Sequence, residues 1–211
     1  MKNSLLIITI ILIVFIVTSC AVHEATFNSY VDPNIANEPM TSIAIFPIKN
    51  VRLALSESQQ INRKISQAIH QRDPNIKLMS SNIVIDILNE YDLADDWAIF
   101  LDNYISSGIP DENFLREVGD VLNVDCILQG KIVDIFQRDG AFGLEKHSAY
   151  SLQGETRATV RITILSTRSG KLLWEASTDG VRATSTTLGD APPVIEAVNL
   201  AVDRILQDLP I

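Results

Sequence analysis

The residue types that most often carry catalysis or bind metals are few in this sequence and lie far apart along it. Its three histidines are His23, His70 and His147. A catalytic triad or a metal site would require them to converge with carboxylates or cysteines. No H-E-x-x-H, G-x-S-x-G, phosphate-loop or dinucleotide-binding glycine motif brings such groups together. We therefore predict no catalytic residue, no metal site and no cofactor, and we expect the histidines to be solvated or to cap helices.

Charged side chains elsewhere are better explained by secondary structure than by a site. The densest acidic stretch lacks the alternating oxygen ligands around a glycine that a calcium loop requires. Its Asp92, Asp95 and Asp96 are expected in the first turn of a helix, where carboxylates complement the helix dipole. Arg157 and Arg161 alternate with threonines along a predicted strand. This alternation predicts a solvated strand face, and an interaction surface is the alternative interpretation.

The cysteine and tryptophan residues in the body of the chain are expected in the core. Cys126 lies in an apolar run over residues 124–128, which favours a buried strand thiol over a nucleophile. Only one other cysteine exists, close to the N-terminus, and if that residue is modified Cys126 has no partner for an internal disulfide. Trp97 and Trp174 have apolar neighbours and are predicted to be buried.

The composition separates an acidic body from an apolar N-terminus. The chain of 211 residues has 26 acidic and 17 basic side chains and a net charge of −9, with no basic patch. We therefore expect no nucleic-acid partner. The mean hydropathy is nevertheless +0.17. The first nineteen residues sum to about +41 on a hydropathy scale against about +36 for the whole chain, so the remainder is close to neutral.

The N-terminal segment has the layout of a secretory signal peptide. Lys2 supplies a positive start, and the thirteen positions from Leu5 to Val17 carry no charge. A transmembrane helix needs about 20 apolar residues, so an uncleaved membrane anchor is the less favoured alternative. We predict that residues 1–19 form a signal peptide that is cleaved between Ser19 and Cys20.

The end of this segment resembles the bacterial lipobox, in which an aliphatic residue and small residues precede an obligatory cysteine. The matching residues are Val17, Thr18, Ser19 and Cys20. The resemblance implies that Cys20 is the lipid-attachment residue and that acyl chains on it hold the mature protein to a membrane. Two or three acyl chains give firm anchoring, whereas one binds only marginally. Ala21 replaces the aspartate that retains many such proteins at the inner membrane, which favours the outer membrane and a domain facing the periplasm.

The mature chain is predicted to have two parts. Residues 20–40 are polar, contain two prolines and show no periodicity, which predicts a lipidated flexible tether. Residues 41–211 are predicted to form a single periplasmic α/β domain. Within it, the apolar run 42–48 predicts a covered strand. Capping-box spacing at Ser56 predicts the start of a helix, and Asp73-Pro74 predicts its end.

The rest of the domain follows the same periodicity arguments. Further strands are predicted at 76–79, 124–136, 157–164 and 171–176, and further helices after residues 80, 93, 111 and 193. The order is β-α-β-α-α-α-β-β-β-α. It indicates an α/β fold in which a mixed β-sheet carries helices on both faces.

Three segments together resemble one superfamily of bacterial envelope proteins. They are the strand 43–48, the helix-to-strand segment 118–132 and the hairpin segment 166–175. They resemble the lipoproteins related to the curli secretion channel (CsgG), the Pel polysaccharide lipoprotein PelC and the N-terminal domain of TolB. The resemblance covers most of residues 42–209, and its motifs are structural rather than catalytic. It implies the fold, partners among envelope proteins and assembly into a homo-oligomer.

The resemblance and the missing catalytic motifs together favour one function. This is a non-catalytic scaffold or assembly subunit of an envelope export or assembly complex, lipid-anchored at the outer membrane and facing the periplasm. A small-ligand-binding lipoprotein is an alternative, and it would need a pocket with converging polar groups. An envelope hydrolase is a further alternative, and it would need a nucleophile beside a base.

Overall fold

The computed structural model describes residues 26–48, 50–145, 148–184 and 189–211. The strands within these ranges are β1 Phe27–Val31, β2 Ser42–Ile45, β3 Lys77–Met79, β4 Cys126–Arg138, β5 Ala141–Glu145, β6 Ser148–Leu152, β7 Glu155–Ser166 and β8 Leu172–Ala183. The α-helices are α1 Leu55–Arg72, α2 Ser81–Glu90, α3 Ala94–Ser107, α4 Glu112–Leu122 and α5 Val194–Gln207, and a 3-10 turn covers Ile35–Asn37.

Six of the strands form one mixed sheet with the order β1-β8-β7-β4-β2-β3. β2 is parallel to both β3 and β4, and every other neighbouring pair is antiparallel. β5 and β6 pair separately as a hairpin. The predicted α/β class with a mixed sheet is confirmed.

Helices cover both faces of the sheet, as predicted. On one face, Ile43 and Ile45 of β2 pack in a cluster with apolar residues of α1 and α5. On the opposite face, Ala44 and Phe46 pack with apolar residues of α2, α3 and α4. Burying a large aliphatic or aromatic side chain contributes about 1.5–3 kcal/mol. Because both faces of β2 are covered, its sequence is apolar throughout instead of alternating.

Helix α5 lies unusually close to the sheet because of one glycine. A Cβ added to Gly180 of β8 would overlap the backbone carbonyl oxygen of Ala197, and it would also crowd the backbone of Ala201. Both alanines are fully buried on α5. A glycine in a strand commonly marks such a close backbone approach. Gly180 therefore sets the distance between α5 and the sheet.

The helix ends agree with the predictions in part. Asp111 precedes α4, and its Oδ1 accepts hydrogen bonds from the backbone N–H groups of Asn113 and Phe114 at 3.0 and 3.1 Å. Asp95 and Asp96 lie in the first turn of α3, as predicted. Asp92 does not, because it lies in the preceding turn with a φ of 56°.

The predicted start of α1 at Ser56 is wrong by about two residues. The N-cap is Ala54, which has no side-chain oxygen. Glu57 instead accepts a hydrogen bond from the backbone N–H of Ala54 at 2.7 Å, which satisfies one of the donors left free at a helix start. The predicted end is confirmed, since Asp73 is the C-cap.

The predicted flexible tether is wrong where β1 forms. Phe27 to Val31 pair antiparallel with residues 174–178 of β8 at the edge of the sheet. Phe27 packs against the core, and the Arg204 guanidinium lies 5.0 Å from the centre of its ring. An edge strand is held mainly by backbone hydrogen bonds, so the polar residues Asn28 and Ser29 are compatible with it. The ordered part of the chain therefore begins before the predicted boundary at Thr41.

Candidate functional site

The candidate catalytic residues do not form a site within the part of the chain that the structure describes. His70 is exposed near the end of α1. His23 and His147 lie outside the described residues, as do Ser19 and Cys20. No group of histidine, cysteine, aspartate and glutamate side chains in the described ranges is arranged to hold a metal ion. The predicted signal peptide and lipid attachment stay predictions.

Cys126 is a core residue, as predicted. Its side chain is fully buried on β4. Burial, followed by the charges of Asp125 and Glu38, raises the pKa of the thiol to about 12. Because the thiolate is the reactive form, a thiol with this pKa is a poor nucleophile near neutral pH. Cys126 is therefore a poor candidate for the nucleophile that the envelope-hydrolase alternative would need.

A network centred on Asp125 joins segments that are distant in sequence. The residue lies just before β4 and is 7% exposed. Its Oδ2 accepts hydrogen bonds from Thr41 Oγ1 at 2.6 Å, from the Thr41 backbone N–H at 3.1 Å and from Ser42 Oγ at 3.1 Å. Its Oδ1 pairs with Arg168 Nη2 at 2.8 Å. The carboxylate thus ties the starts of β2 and β4 to the turn between β7 and β8.

The electrostatics of Asp125 favour the ionised form. Burial alone would raise the pKa of the carboxyl group, but the hydrogen bonds from Thr41, Ser42 and Arg168 together lower it below its ordinary value. The depression around the network has a volume of about 540 Å³. Cationic side chains at its walls include Lys77 and Arg116 as well as Arg168. Its polar lining would suit a small anionic group.

A second surface of interest is the sheet face beyond the end of α3, which we call the open face. It carries Arg157, Thr159 and Arg161 of β7 on partly or largely exposed positions, whereas the alternate residues of β7 are buried. Thr159 Oγ1 donates to Asp179 Oδ1 at 2.5 Å, and Arg161 Nε lies 3.7 Å from Glu175 Oε1. The predicted solvated face is confirmed at these three residues.

Thr163 departs from the prediction because it is 5% exposed. It lines a small depression together with Tyr104, which lies near the end of α3. The pKa of the Tyr104 hydroxyl is raised by its burial and then by the Glu175 carboxylate, while Arg161 opposes the shift. The last residue of the predicted solvated row, Thr163, is therefore buried near the end of α3.

An apolar groove, which we call the α2–α3 groove, lies between these two helices, the end of β2 and β4. Its volume is about 630 Å³. Its lining is mainly apolar and includes Phe46, Leu88, Trp97, Leu101 and Ile105. Trp97 stacks on Phe46 with ring centres 4.0 Å apart. The rings give the groove a rigid floor.

The groove continues into the depression beside the open face. The two concavities share Ile105 of α3 and Gln129 and Lys131 of β4. The side-chain oxygen Oε1 of Gln129 is buried and has no hydrogen-bond donor among the described residues. Sequence reasoning missed both Gln129 and Asp125, because their importance arises from neighbours that are close only in the folded chain.

None of the helices in the described residues combines the length and the apolar character that a membrane span requires.

No protein-family model matches the sequence, and no curated protein matches it. The chain is similar to the lipoprotein GNA1162 from Neisseria meningitidis, with 13% sequence identity and a TM-score of 0.47 over 80% of this chain and 99% of that one.

Two further solved structures are similar. One is the PelC dodecamer from Paraburkholderia phytofirmans, with 14% identity and a TM-score of 0.41 over 86% of this chain and 94% of that one. The other is the C-terminal domain of LpoB from Salmonella enterica, with 8% identity and a TM-score of 0.37 over 73% and 94%. At these identities and scores the likeness concerns the general fold alone and carries no argument about function. Membership of the superfamily of CsgG, PelC and TolB stays a prediction.

Proposed function

We propose that this chain is a lipid-anchored lipoprotein of the outer membrane that faces the periplasm and acts as a non-catalytic scaffold or assembly subunit of an envelope export or assembly complex. The lipobox resemblance at Cys20 is the observation that carries the proposal. Cys20 follows the thirteen uncharged positions from Leu5 to Val17, which is the arrangement expected for export followed by acylation.

Features of the folded domain support a binding role. The open face presents paired charges, and the α2–α3 groove presents exposed apolar side chains, of which Ile105 is 52% exposed. Exposed apolar surface rimmed by polar residues is typical of protein interaction sites. Partners are envelope proteins or further copies of this chain.

Fatty-acid labelling tests the anchor. Cells expressing the full chain are grown with an alkyne-tagged palmitate, and their membranes are separated on a density gradient. We expect Cys20→Ala to lose both the label and its place in the outer-membrane fraction. The matched control is Cys126→Ala, which should keep both because its sulfur is buried. Retention of Cys20→Ala in the outer-membrane fraction would show that the anchor assignment is wrong.

A second candidate function is supported by the depression around Asp125. Lys77, Arg116 and Arg168 line it and outnumber the two carboxylates there, Asp120 and Asp125, in a chain whose net charge is −9. This arrangement would suit a lipoprotein that binds a small carboxylate or phosphate. Calorimetric titration with citrate and with inorganic phosphate tests it. Saturable heat that disappears in Arg116→Ala would favour ligand binding, and the absence of saturable heat in the wild type would remove this candidate.

A further inference from the structure

Within the described part of the chain, no strand neighbours the outer edge of β4 over most of its length. β2 pairs with Cys126 to Leu128 only, and the last backbone hydrogen bond from that side joins the Phe46 N–H to the Leu128 carbonyl oxygen. β4 nevertheless continues to Arg138. Among the described residues, none pairs with the outer edge from Lys131 to Arg138, which we call the β4 edge. Unpaired edges are the sites at which another extended chain can add to a sheet.

The β4 edge begins where the α2–α3 groove meets the sheet. Gln129, Gly130 and Lys131 form the groove wall on the β4 side. Apolar side chains continue outward from this point, since Val133 is 45% exposed and Phe136 is 44% exposed. An extended chain at this edge would thus contact backbone hydrogen-bonding groups along one side and apolar side chains along its face.

Gln129 adds a polar group to the same part of the groove wall. The residue lines the groove, and its buried side-chain Oε1 has no hydrogen-bond donor among the described residues. A buried acceptor without a partner is unfavourable. A backbone N–H of a chain lying in the groove would supply the donor.

The shape of the edge limits how much of a partner can pair regularly. The β4–β7 register shifts between Ile132 and Asp134, which indicates a bulge at Val133. Bulges and charged residues such as Lys131 and Arg138 are common devices against indiscriminate pairing of open edges. The occupant must therefore be a short segment that fits the groove, and a long flat strand would not fit.

We propose that the β4 edge and the α2–α3 groove bind an extended, uncharged segment of a partner protein, which has apolar side chains at alternate positions and adds to the sheet beside β4. The proposal names the kind of partner segment that the scaffold function would engage, and it rests on that function for its biological setting. A second copy of this chain is treated as an outcome of the test. At the ends of the six-stranded sheet its edge strands are β1, which carries Asn28 and Ser29, and β3, which has only three residues, and β5 and β6 form a separate two-stranded hairpin.

A synthetic strand tests the proposal on the full chain purified in detergent. The probe is a fluorescein-labelled ten-residue peptide of alternating valine and threonine, and the control is the same peptide with alternate backbone nitrogens methylated. We expect saturable binding by fluorescence polarisation for the probe and none for the control. We also expect slower amide hydrogen exchange at the β4 edge on binding.

Two matched substitutions locate the binding surface. Ile105→Asp places a charge in the groove, whereas Ile83→Asp places one on α2 outside it, and the two side chains are 52% and 50% exposed. We expect Ile105→Asp to weaken probe binding at least tenfold and Ile83→Asp to change it less than twofold. Similar far-ultraviolet circular dichroism of both variants checks that each is folded.

Several outcomes would overturn the proposal. They are a lack of saturable binding up to millimolar probe, equal binding of the methylated peptide, and equal weakening by both substitutions. Self-association of the chain that Ile105→Asp disperses in sedimentation runs would assign the surface to a second copy instead. The anchor is judged separately, because Ile105→Asp should leave palmitate labelling and outer-membrane fractionation unchanged whether or not the peptide binds.

Discussion

Replacing Asp125 by asparagine should destabilise the domain by removing charge while keeping the shape of the side chain. The carboxylate accepts three hydrogen bonds from Thr41 and Ser42 at 2.6–3.1 Å and is 7% exposed. Hydrogen bonds to a charged group contribute about 1.5–3 kcal/mol each and are not additive. The ion pair with Arg168 adds little, since that side chain is 67% exposed. Because an amide retains one oxygen, we expect a loss of about 2 kcal/mol.

The measurement is urea and thermal unfolding followed by circular dichroism. A loss of this size corresponds to a Tm lower by about 4–8 °C for a domain of this length. Asp120→Asn is the matched control, since Asp120 lines the same depression but is exposed. A change in unfolding free energy below about 0.5 kcal/mol for Asp125→Asn would refute the argument, because that is the range of ordinary surface substitutions.

The pH dependence gives a second test of the same network. The folded structure lowers the pKa of Asp125 below the ordinary value of 3.8, so the unfolded chain binds more protons in acid. The Asp125 carboxylate therefore contributes fully to the stability of the fold at a pH above the pKa that this group has in the unfolded chain. The contribution is lost as the pH falls through the lower pKa that it has in the folded chain. We expect the stability difference between wild type and Asp125→Asn to shrink below about pH 4. A constant difference from pH 7 to pH 2 would contradict this account.

Three further predictions concern packing. Gly180→Val should destabilise the domain by about 3 kcal/mol or more in urea unfolding, because its side chain would overlap the backbone of α5; a neutral effect would show that α5 can shift. Phe27→Ala should cost about 1–3 kcal/mol, since Phe27 packs on the core and beneath Arg204; no loss would mean that β1 adds nothing to stability. Cys126 should react with maleimide at pH 7 only after denaturant is added, as mass spectrometry can show.

Elements that bury apolar side chains on a regular period could be predicted from the sequence. The apolar run of β2 indicated a strand covered on both faces, and the helical stripe of α5 faces the core as expected. The alternation of arginine and threonine along β7 predicts the solvent-exposed face of this strand. In each case the local pattern of side chains records which sides of the element are buried.

Elements held mainly by backbone pairing could not be predicted in this way. β1 pairs with β8 about 150 residues later in the chain, and its polar residues give no periodic signal. The sequence likewise predicts no strand between residues 136 and 157, where β5 and β6 form a hairpin. The Asp125 network joins residues 84 positions apart, and a single sequence contains no indication that they meet. Contacts between segments that are so far apart in the sequence depend on the order of the strands in the sheet, and the hydrophobic pattern does not specify that order.

With the proposed lipid anchor on Cys20, the early start of β1 would also limit how far the domain can move from the membrane. Seven residue steps separate Cys20 from Phe27, and a fully extended chain of that length reaches about 25 Å. A tether of twenty residues would have reached about 70 Å. Under the proposed anchoring, confinement to this shorter radius would raise the effective concentration of the domain for partners in the same bilayer and lower it for partners deeper in the periplasm. Insertion of flexible residues before Phe27 would therefore weaken any assembly that depends on membrane proximity, without changing a single contact in the folded domain.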